Sequence, residues 1–219
     1  MKKIEILDHG YIGLIDHMGT DQSIVRSARV SYDGKGKSTD ERLINYLMKN
    51  GHNTPFESCT VTVQVKLPVM AIRQWHRHRT QSYSEVSARY TELPEEFYVP
   101  ELGQITSQSK DNKQMRTEDQ NPHAERIREA LHRSQEACFA EYHKLLDLGC
   151  PRELARTVLP FGTYTKMQAT ANLHNWLKFI SERSHPHAQH EIRVYSDALL
   201  TILEELYPLA VAAFKEHHR

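Results

Sequence analysis

The sequence predicts an α+β domain in which a small mixed or antiparallel sheet packs with several long helices. Residues 60–66 alternate β-branched and polar side chains, which is typical of a half-buried strand. Later segments place apolar residues at three- and four-residue steps, which is typical of amphipathic helices. A length of 219 residues fits one domain, so residues 1–219 are expected to form a single unit.

Local signals place the elements of the first half. Asp21 is expected to cap a helix, and the run 38–41 has the spacing of a capping box that opens another. Pro68 is expected to begin a helix through about Arg79, because proline is tolerated in the first helical turn. The predicted strands are 3–7, 11–15 and 60–66, and the predicted helices are 21–30, 38–51 and 68–79.

The second half is predicted to be mainly helical. Residues 101–122 are polar, and we expect a mobile surface excursion there rather than a domain linker. Residues 124–148 carry an apolar stripe for the core or a subunit interface, and Gly149 ends this helix. A short helix after Pro151 leads to a connection at 160–165. The remaining predicted helices are 172–183 and 188–215.

Composition argues against several classes of protein. The 28 basic and 28 acidic residues balance, which disfavours a protein that coats nucleic acid. The three cysteines are widely spaced without a C-x-x-C pair, which indicates reduced thiols. An acidic residue interrupts the N-terminal segment, and no stretch approaches the roughly 20 apolar residues that span a bilayer. We therefore expect a cytoplasmic protein with neither nucleic acid nor a membrane as partner.

The densest charge lies at residues 73–79, where three arginines and two histidines fall within seven positions. On the predicted helix, Arg73 and Arg77 would lie one turn apart and point the same way. Arginine forks suit phosphate, because two parallel N–H bonds meet two oxygens. Downstream, Ser87 adds a hydroxyl donor, and Glu85 can accept from a sugar hydroxyl or a ring N–H. A solvated basic surface explains the spacing equally well.

Four segments, in order, resemble the flavin-dependent thymidylate synthases. Residues 77–79 and Ser87 are similar to that family's R-H-R-x7-S signature. Residues 51–57 resemble its G-H-x-T-P-F-E segment, residues 151–160 its P-R-E-x-A-R-x-x-L-P segment, and residues 183–189 its R-x-x-x-H-A-Q segment. One such match would carry little weight, but four in the family's order are specific.

The resemblance implies a homotetramer with active sites between subunits, binding FAD, dUMP, 5,10-methylenetetrahydrofolate and NADPH. The folate would donate the methylene carbon and the reduced flavin the hydride. Arg183 would be catalytic, lying against the uracil edge and favouring its N3-deprotonated form. The residues implied at the flavin are Thr54, Arg77, His78, Arg79, Glu85, Asn172, Leu173, His174 and His187. Those implied at the nucleotide are Gln74, Trp75, His76, Arg77, Glu85, Val86, Ser87, Ala88, Arg89, Arg156 and Arg183.

This assignment is chemically coherent. A guanidinium stays charged at physiological pH, so Arg183 can stabilise negative charge on a uracil ring without transferring a proton. No cysteine occupies a motif position, which disfavours a covalent thiol mechanism and leaves the electronic work to the flavin. Ser87 lacks an evident activating base, so a hydrogen-bonding role is preferred. Lys178 departs from the asparagine usual in the family, and one flavin contact is in doubt there.

Two other functions compete with this one. A metal-dependent hydrolase would use a histidine-rich run, but that run lacks the i, i+4 histidine pair of helical zinc motifs, so we predict no metal. A non-enzymatic nucleotide- or RNA-binding module would stack bases on aromatic side chains among the arginines. The balanced charge disfavours the module, and Trp75 is better explained by core packing. The hydrolase residues are His185, His187, His190 and Glu191, and the stacking residues are Trp75, Tyr83 and Tyr90.

Overall fold

A five-stranded antiparallel sheet organises the computed structural model, which describes residues 2–33, 38–113 and 115–218. The strands are β1 (Lys3–Ile6), β2 (Gly10–Met18), β3 (Thr60–Pro68), β4 (Ser82–Glu85), β5 (Thr106–Gln108), β6 (Arg116–Gln120) and β7 (Tyr164–Asn172). The large sheet has the order β1-β2-β3-β7-β4, and β5 pairs with β6 in a separate hairpin. The predicted α+β class is confirmed, and all neighbouring strands are antiparallel.

The described residues also form eight α-helices. They are α1 (Asp21–Arg29), α2 (Asp40–Lys49), α3 (Val69–Trp75), α4 (Ala124–Asp147), α5 (Arg152–Ala155), α6 (Leu173–Arg183), α7 (His190–Leu206) and α8 (Pro208–His218). The main core brings the buried side chains of β2, β3 and β7 together with those of α6, α7 and α8. Trp75, Trp176 and Phe179 pack against one another there, with ring centroids 4.6 to 6.1 Å apart. A smaller core holds Phe139 and Tyr142 of α4. No described helix combines the length and apolarity needed to cross a membrane.

Strand β7 was not predicted, although it lies near the centre of the sheet between β3 and β4. It pairs with β3 along its whole length, from Thr60↔Asn172 to Pro68↔Tyr164. Its inward positions include Ala169 and Ala171. Because alanine has little intrinsic preference for strands, the ladder with β3 rather than local propensity sets this conformation.

The predicted helix at 68–79 is wrong at its C-terminal end. Helix α3 stops at Trp75, and tight turns follow in which Arg77 N–H donates to the Gln74 carbonyl. The Trp75 indole N–H donates to Gln81 at 2.9 Å, which draws the following chain back toward the helix. Arg73 and Arg77 therefore do not lie one turn apart on a helix. Pro68 ends β3 and precedes the helix.

The predicted helix at 188–215 is two helices. The break falls at Tyr207, because Pro208 cannot donate an N–H to continue α7. Asp21 has an unexpected part in this junction. Thr20 rather than Asp21 is the N-cap of α1. The Asp21 carboxylate accepts the N–H groups of Leu209 at 2.9 Å and Ala210 at 3.1 Å, so it caps α8.

The segment 101–122 contains the β5–β6 hairpin. Every residue of β6 is exposed, yet Arg116 places its Nη2 2.8 Å from both carboxylate oxygens of Glu191 in α7. The predicted surface excursion therefore contains a hairpin that an ion pair joins to α7. Its mobility stays a prediction.

Candidate active site

Arg183 forms the centre of the candidate site. As the last residue of α6, it donates from Nε to His78 Nε2 at 2.9 Å and from Nη2 to the Gln74 carbonyl at 3.2 Å. Burial, and then the neighbouring charge of Arg77, lower the pKa of the guanidinium, although Glu182 opposes them. Two segments about 105 residues apart thus meet at one arginine.

His78 is nearly buried, with 8% of its surface exposed, and its ring lies 4.7 Å from that of Phe179. Burial, together with the charge of Arg183, lowers the pKa of the imidazole to about 4. The ring is therefore neutral at physiological pH. Because Nε2 accepts from Arg183, the proton lies on Nδ1. His78 orients the guanidinium, which is a role beyond the predicted flavin contact.

The side chains of the basic cluster at 73–79 point in different directions. The side chain of Arg73 lies over the Phe161 ring, with 5.6 Å between the guanidinium carbon and the ring centroid. Arg77 and Arg79 are exposed, and Arg77 is close enough to Arg183 to affect its pKa. Among the arginines of this cluster, Arg77 is therefore the exposed cation that lies beside Arg183.

The segment after β4 carries the predicted nucleotide contacts. The Glu85 carboxylate accepts from the Thr165 hydroxyl at 3.0 Å, and Val86 N–H continues the ladder onto the Lys166 carbonyl. Arg89 donates to Glu153 of α5 at 3.1 Å. Arg156, which follows α5, is exposed. This second group therefore lies along α5, and no described contact joins it to Arg183 within one chain.

The R-H-R-x7-S serine has a local role in this group. The Ser87 hydroxyl accepts from the Arg89 N–H at 3.3 Å, while its carbonyl accepts from Tyr90 and Thr91. Ala88 is buried beside it, with 8% of its surface exposed. These bonds fix the turn that presents Arg89.

Thr54 lies in a cleft of about 930 Å³ between α2 and the segment that follows it. The cleft is also lined by Arg29 and Arg42, which the sequence did not suggest. Arg29 pairs through Nη2 with Asp40 at 2.9 Å, but its buried Nε has no hydrogen-bond partner among the described residues. A cleft lined by two arginines is suited to a phosphate-bearing cofactor.

The start of α6 borders a second, smaller pocket of about 230 Å³. Asn172 caps the helix by accepting the Asn175 N–H at 2.9 Å. His174 and Lys178 line the pocket together with Asn53, which also lines the larger cleft. Of the predicted flavin residues, Thr54 and His174 therefore line neighbouring pockets.

Several predicted residues have side chains that are not available to a ligand. Trp75 and Leu173 are fully buried, so only their backbones can face one, and the core-packing interpretation holds for the Trp75 side chain. His76 is half-buried; its Nε2 lies 3.3 Å from Met167 Sδ, and its ring meets that of Tyr83 at a tilted angle. His187, in contrast, is exposed.

The histidine-rich run does not form a metal-binding group. Across the described ranges, no three His, Cys, Asp or Glu side chains are arranged to hold an ion. His185 and His187 contact each other, and their ring centroids are 4.7 Å apart. Glu191 is 1% exposed and bound by Arg116, so it is not free to act as a ligand.

A polar chain behind Gln74 was missed by the sequence analysis. Gln74 bonds to Gln189, Gln189 bonds to Glu191, and Glu191 pairs with Arg116. Gln189 belongs to the R-x-x-x-H-A-Q segment, which was the available signal. Arg116 lies in the polar excursion, where no local pattern distinguishes it.

Comparisons with known proteins agree on one family. A protein-family profile described as "Thymidylate synthase complementing protein" matches residues 13–209. The chain is 44% identical to the flavin-dependent thymidylate synthase of Ehrlichia ruminantium, over 99% of this chain and 74% of that one. It is 45% identical to that of Treponema denticola, over 100% and 84% respectively. Among solved structures, it is similar to a UMP/dUMP methylase, PolB, from Streptomyces cacaoi bound with 5-Br dUMP, with a TM-score of 0.89, 32% identity and 98% of each chain covered.

Proposed function

Because the chain belongs to the flavin-dependent thymidylate synthases, we propose that it methylates dUMP to dTMP, with 5,10-methylenetetrahydrofolate as carbon donor and NADPH-reduced FAD as hydride source. The observation that carries this proposal is the contact of Arg183 with both His78 and Gln74. It joins the R-H-R segment to the R-x-x-x-H-A-Q segment at one charged group. A solved relative described as a UMP/dUMP methylase supports the substrate class.

Arg183 is proposed to lie against the uracil edge. Its guanidinium stabilises negative charge on the ring as N3 loses its proton, and it does so without giving up a proton of its own. His78 holds this guanidinium with a neutral nitrogen acceptor, so the positive charge is not cancelled. The Gln74 carbonyl provides the second anchor. The guanidinium is therefore oriented before the nucleotide binds.

The exposed arginines are proposed to bind the nucleotide phosphate. Arg77 lies beside Arg183, whereas Arg89 and Arg156 lie with α5. Arginine forks bind phosphate oxygens in pairs. Glu85 to Arg89 would hold the remaining polar groups of the nucleotide.

FAD is proposed to occupy the cleft that Thr54 lines, extending toward Asn172, Leu173 and His174. Arg29 and Arg42 line this cleft and are suited to the diphosphate, and they add to the predicted set of Arg77, His78, Arg79, Glu85 and His187. When bound, the reduced flavin supplies the hydride of the reaction.

The active site is proposed to be shared between subunits of a homotetramer. Within one chain the arginines of 89 and 156 have no contact with Arg183, which fits a site completed by another copy. Exposed apolar side chains that a neighbouring subunit could bury support this proposal. They include Tyr90, Leu148, Leu154 and Phe161. Three free cysteines agree with the proposed cytoplasmic location. The proposed reaction uses no metal ion.

A turnover assay tests the function. The purified protein, loaded with FAD, should form dTMP from dUMP only when methylenetetrahydrofolate and NADPH are both present. Anaerobic reduction of the flavin by NADPH, with and without dUMP, should show that the nucleotide binds near the flavin. A colourless protein that binds no added FAD but carries stoichiometric zinc would overturn the proposal.

A further inference from the structure

Glu191 is a buried carboxylate held by several groups at once. Arg116 reaches both of its oxygens at 2.8 Å, and the Tyr98 hydroxyl donates to Oε1 at 3.3 Å. Gln189 donates its side-chain amide to Oε2 at 2.6 Å. Burial alone would raise the pKa of the Glu191 carboxyl, but Arg116 and Gln189 outweigh it and leave that pKa below its ordinary value. Glu191 is thus ionised and can only accept hydrogen bonds.

An acceptor-only group fixes the orientation of a neighbouring amide. Since Glu191 accepts, Gln189 must turn its NH2 toward the carboxylate and its Oε1 toward Gln74. Gln74 must then donate its own NH2 to Gln189 Oε1. The remaining end of that amide, Gln74 Oε1, has no donor among the residues that the structure describes.

We propose that Glu191 is a positioning residue, which fixes through Gln189 the end of the Gln74 amide that faces the nucleotide. The end presented is the carbonyl oxygen, so the complementary group on the nucleotide is a donor, which the 3′ hydroxyl of the sugar supplies. The proposal rests on the proposed function, in which Gln74 contacts dUMP. Arg116, in strand β6, is the cation that keeps Glu191 ionised. The β5–β6 hairpin therefore belongs to this relay, which runs from Glu191 through Gln189 to Gln74.

The test measures dUMP dissociation constants of the FAD-loaded protein. In Glu191→Gln, the new side chain can present its NH2 to Gln189. The orientation of the Gln189 amide is then no longer fixed. We expect dUMP binding to weaken on the order of tenfold, because a buried amide pair is left mismatched, while flavin content is retained. Glu204→Gln is the matched control, since it makes the same change at an exposed position of α7, and it should bind dUMP normally.

A double variant that exchanges the two residues distinguishes a loss of amide orientation from a loss of local structure. In Gln189→Glu/Glu191→Gln, the acceptor-only group is at position 189 and still forces Gln74 to donate its NH2. We expect this variant to recover most of the lost affinity, which a merely structural role would not produce. If the swap binds dUMP no better than Glu191→Gln alone, the relay is wrong.

Two further arms complete the design. Gln189→Met removes the relay without touching the buried ion pair, and it should weaken dUMP binding similarly even if Glu191→Gln fails to fold. An analogue lacking the 3′ hydroxyl tests the donor, because its affinity should no longer depend on Glu191. Wild-type affinity in both single variants would overturn the relay alone. A wild-type protein that bound no dUMP would instead overturn the proposed function.

Discussion

Acidification from pH 7 to pH 5 should destabilise the protein through His78. Its imidazole has a pKa of about 4 when folded, against an ordinary value of 6.5. Between these values the unfolded state binds more protons, so the free energy of unfolding falls as the pH falls. A gap of about 2.5 pKa units is worth about 3 kcal/mol in full, of which about 2 kcal/mol should be lost by pH 5. Protonation also removes the acceptor for Arg183.

The measurement compares the wild type with His78→Gln, whose amide oxygen can accept from Arg183 but does not titrate. Urea unfolding is followed at several pH values with protein and FAD concentrations held equal, because ligand and assembly shift apparent stability. The remaining histidines are common to both proteins, so their effects cancel. The variant should lose about 2 kcal/mol less than the wild type between pH 7 and pH 5. Parallel pH profiles would refute the assignment of a neutral, buried His78.

Substitutions at three further places test other parts of the molecule. Arg183→Ala should retain flavin absorbance yet lower dTMP formation by about a hundredfold or more; normal turnover would remove Arg183 from the mechanism. Replacing all three cysteines with Ala or Ser should preserve activity, since the buried Cys59 thiol has a raised pKa; a folded, FAD-loaded but inactive variant would reinstate a thiol. Asp21→Ala should lower the free energy of unfolding by about 1–2 kcal/mol in urea titrations, because two α8 N–H groups lose their acceptor, while Asp21→Asn, which keeps an acceptor oxygen, should lose less.

Local sequence signals predicted most helices and the early strands, but not the elements that depend on distant partners. The strand β3 shows clear alternation and was predicted almost in full. Its partner β7 has alanines at its inward positions, so its conformation depends on pairing with residues about 100 positions away. The early end of α3 likewise depends on a side-chain bond from Trp75.

The candidate site was predictable only where its residues lie close together in the sequence. The contact of Arg183 with His78 was not stated by any motif, although both residues belong to matching segments. Glu191 and Arg116 were beyond reach, because an ion pair 75 residues apart leaves no periodic pattern in either segment. Burial is what gives that pair its importance, and burial is a property of the assembled fold.

The Asp21 cap on α8 has a consequence for folding. It joins residues 188 positions apart, and Tyr207 also donates to the Met18 carbonyl across 189 positions. During synthesis the Asp21 carboxylate cannot accept the α8 N–H groups until α8 has left the ribosome, so we expect closure of this end to be among the last folding events. Ribosome-stalled chains ending before residue 208 should therefore be cleaved by protease near α1 more readily than the full-length chain after its release from the ribosome.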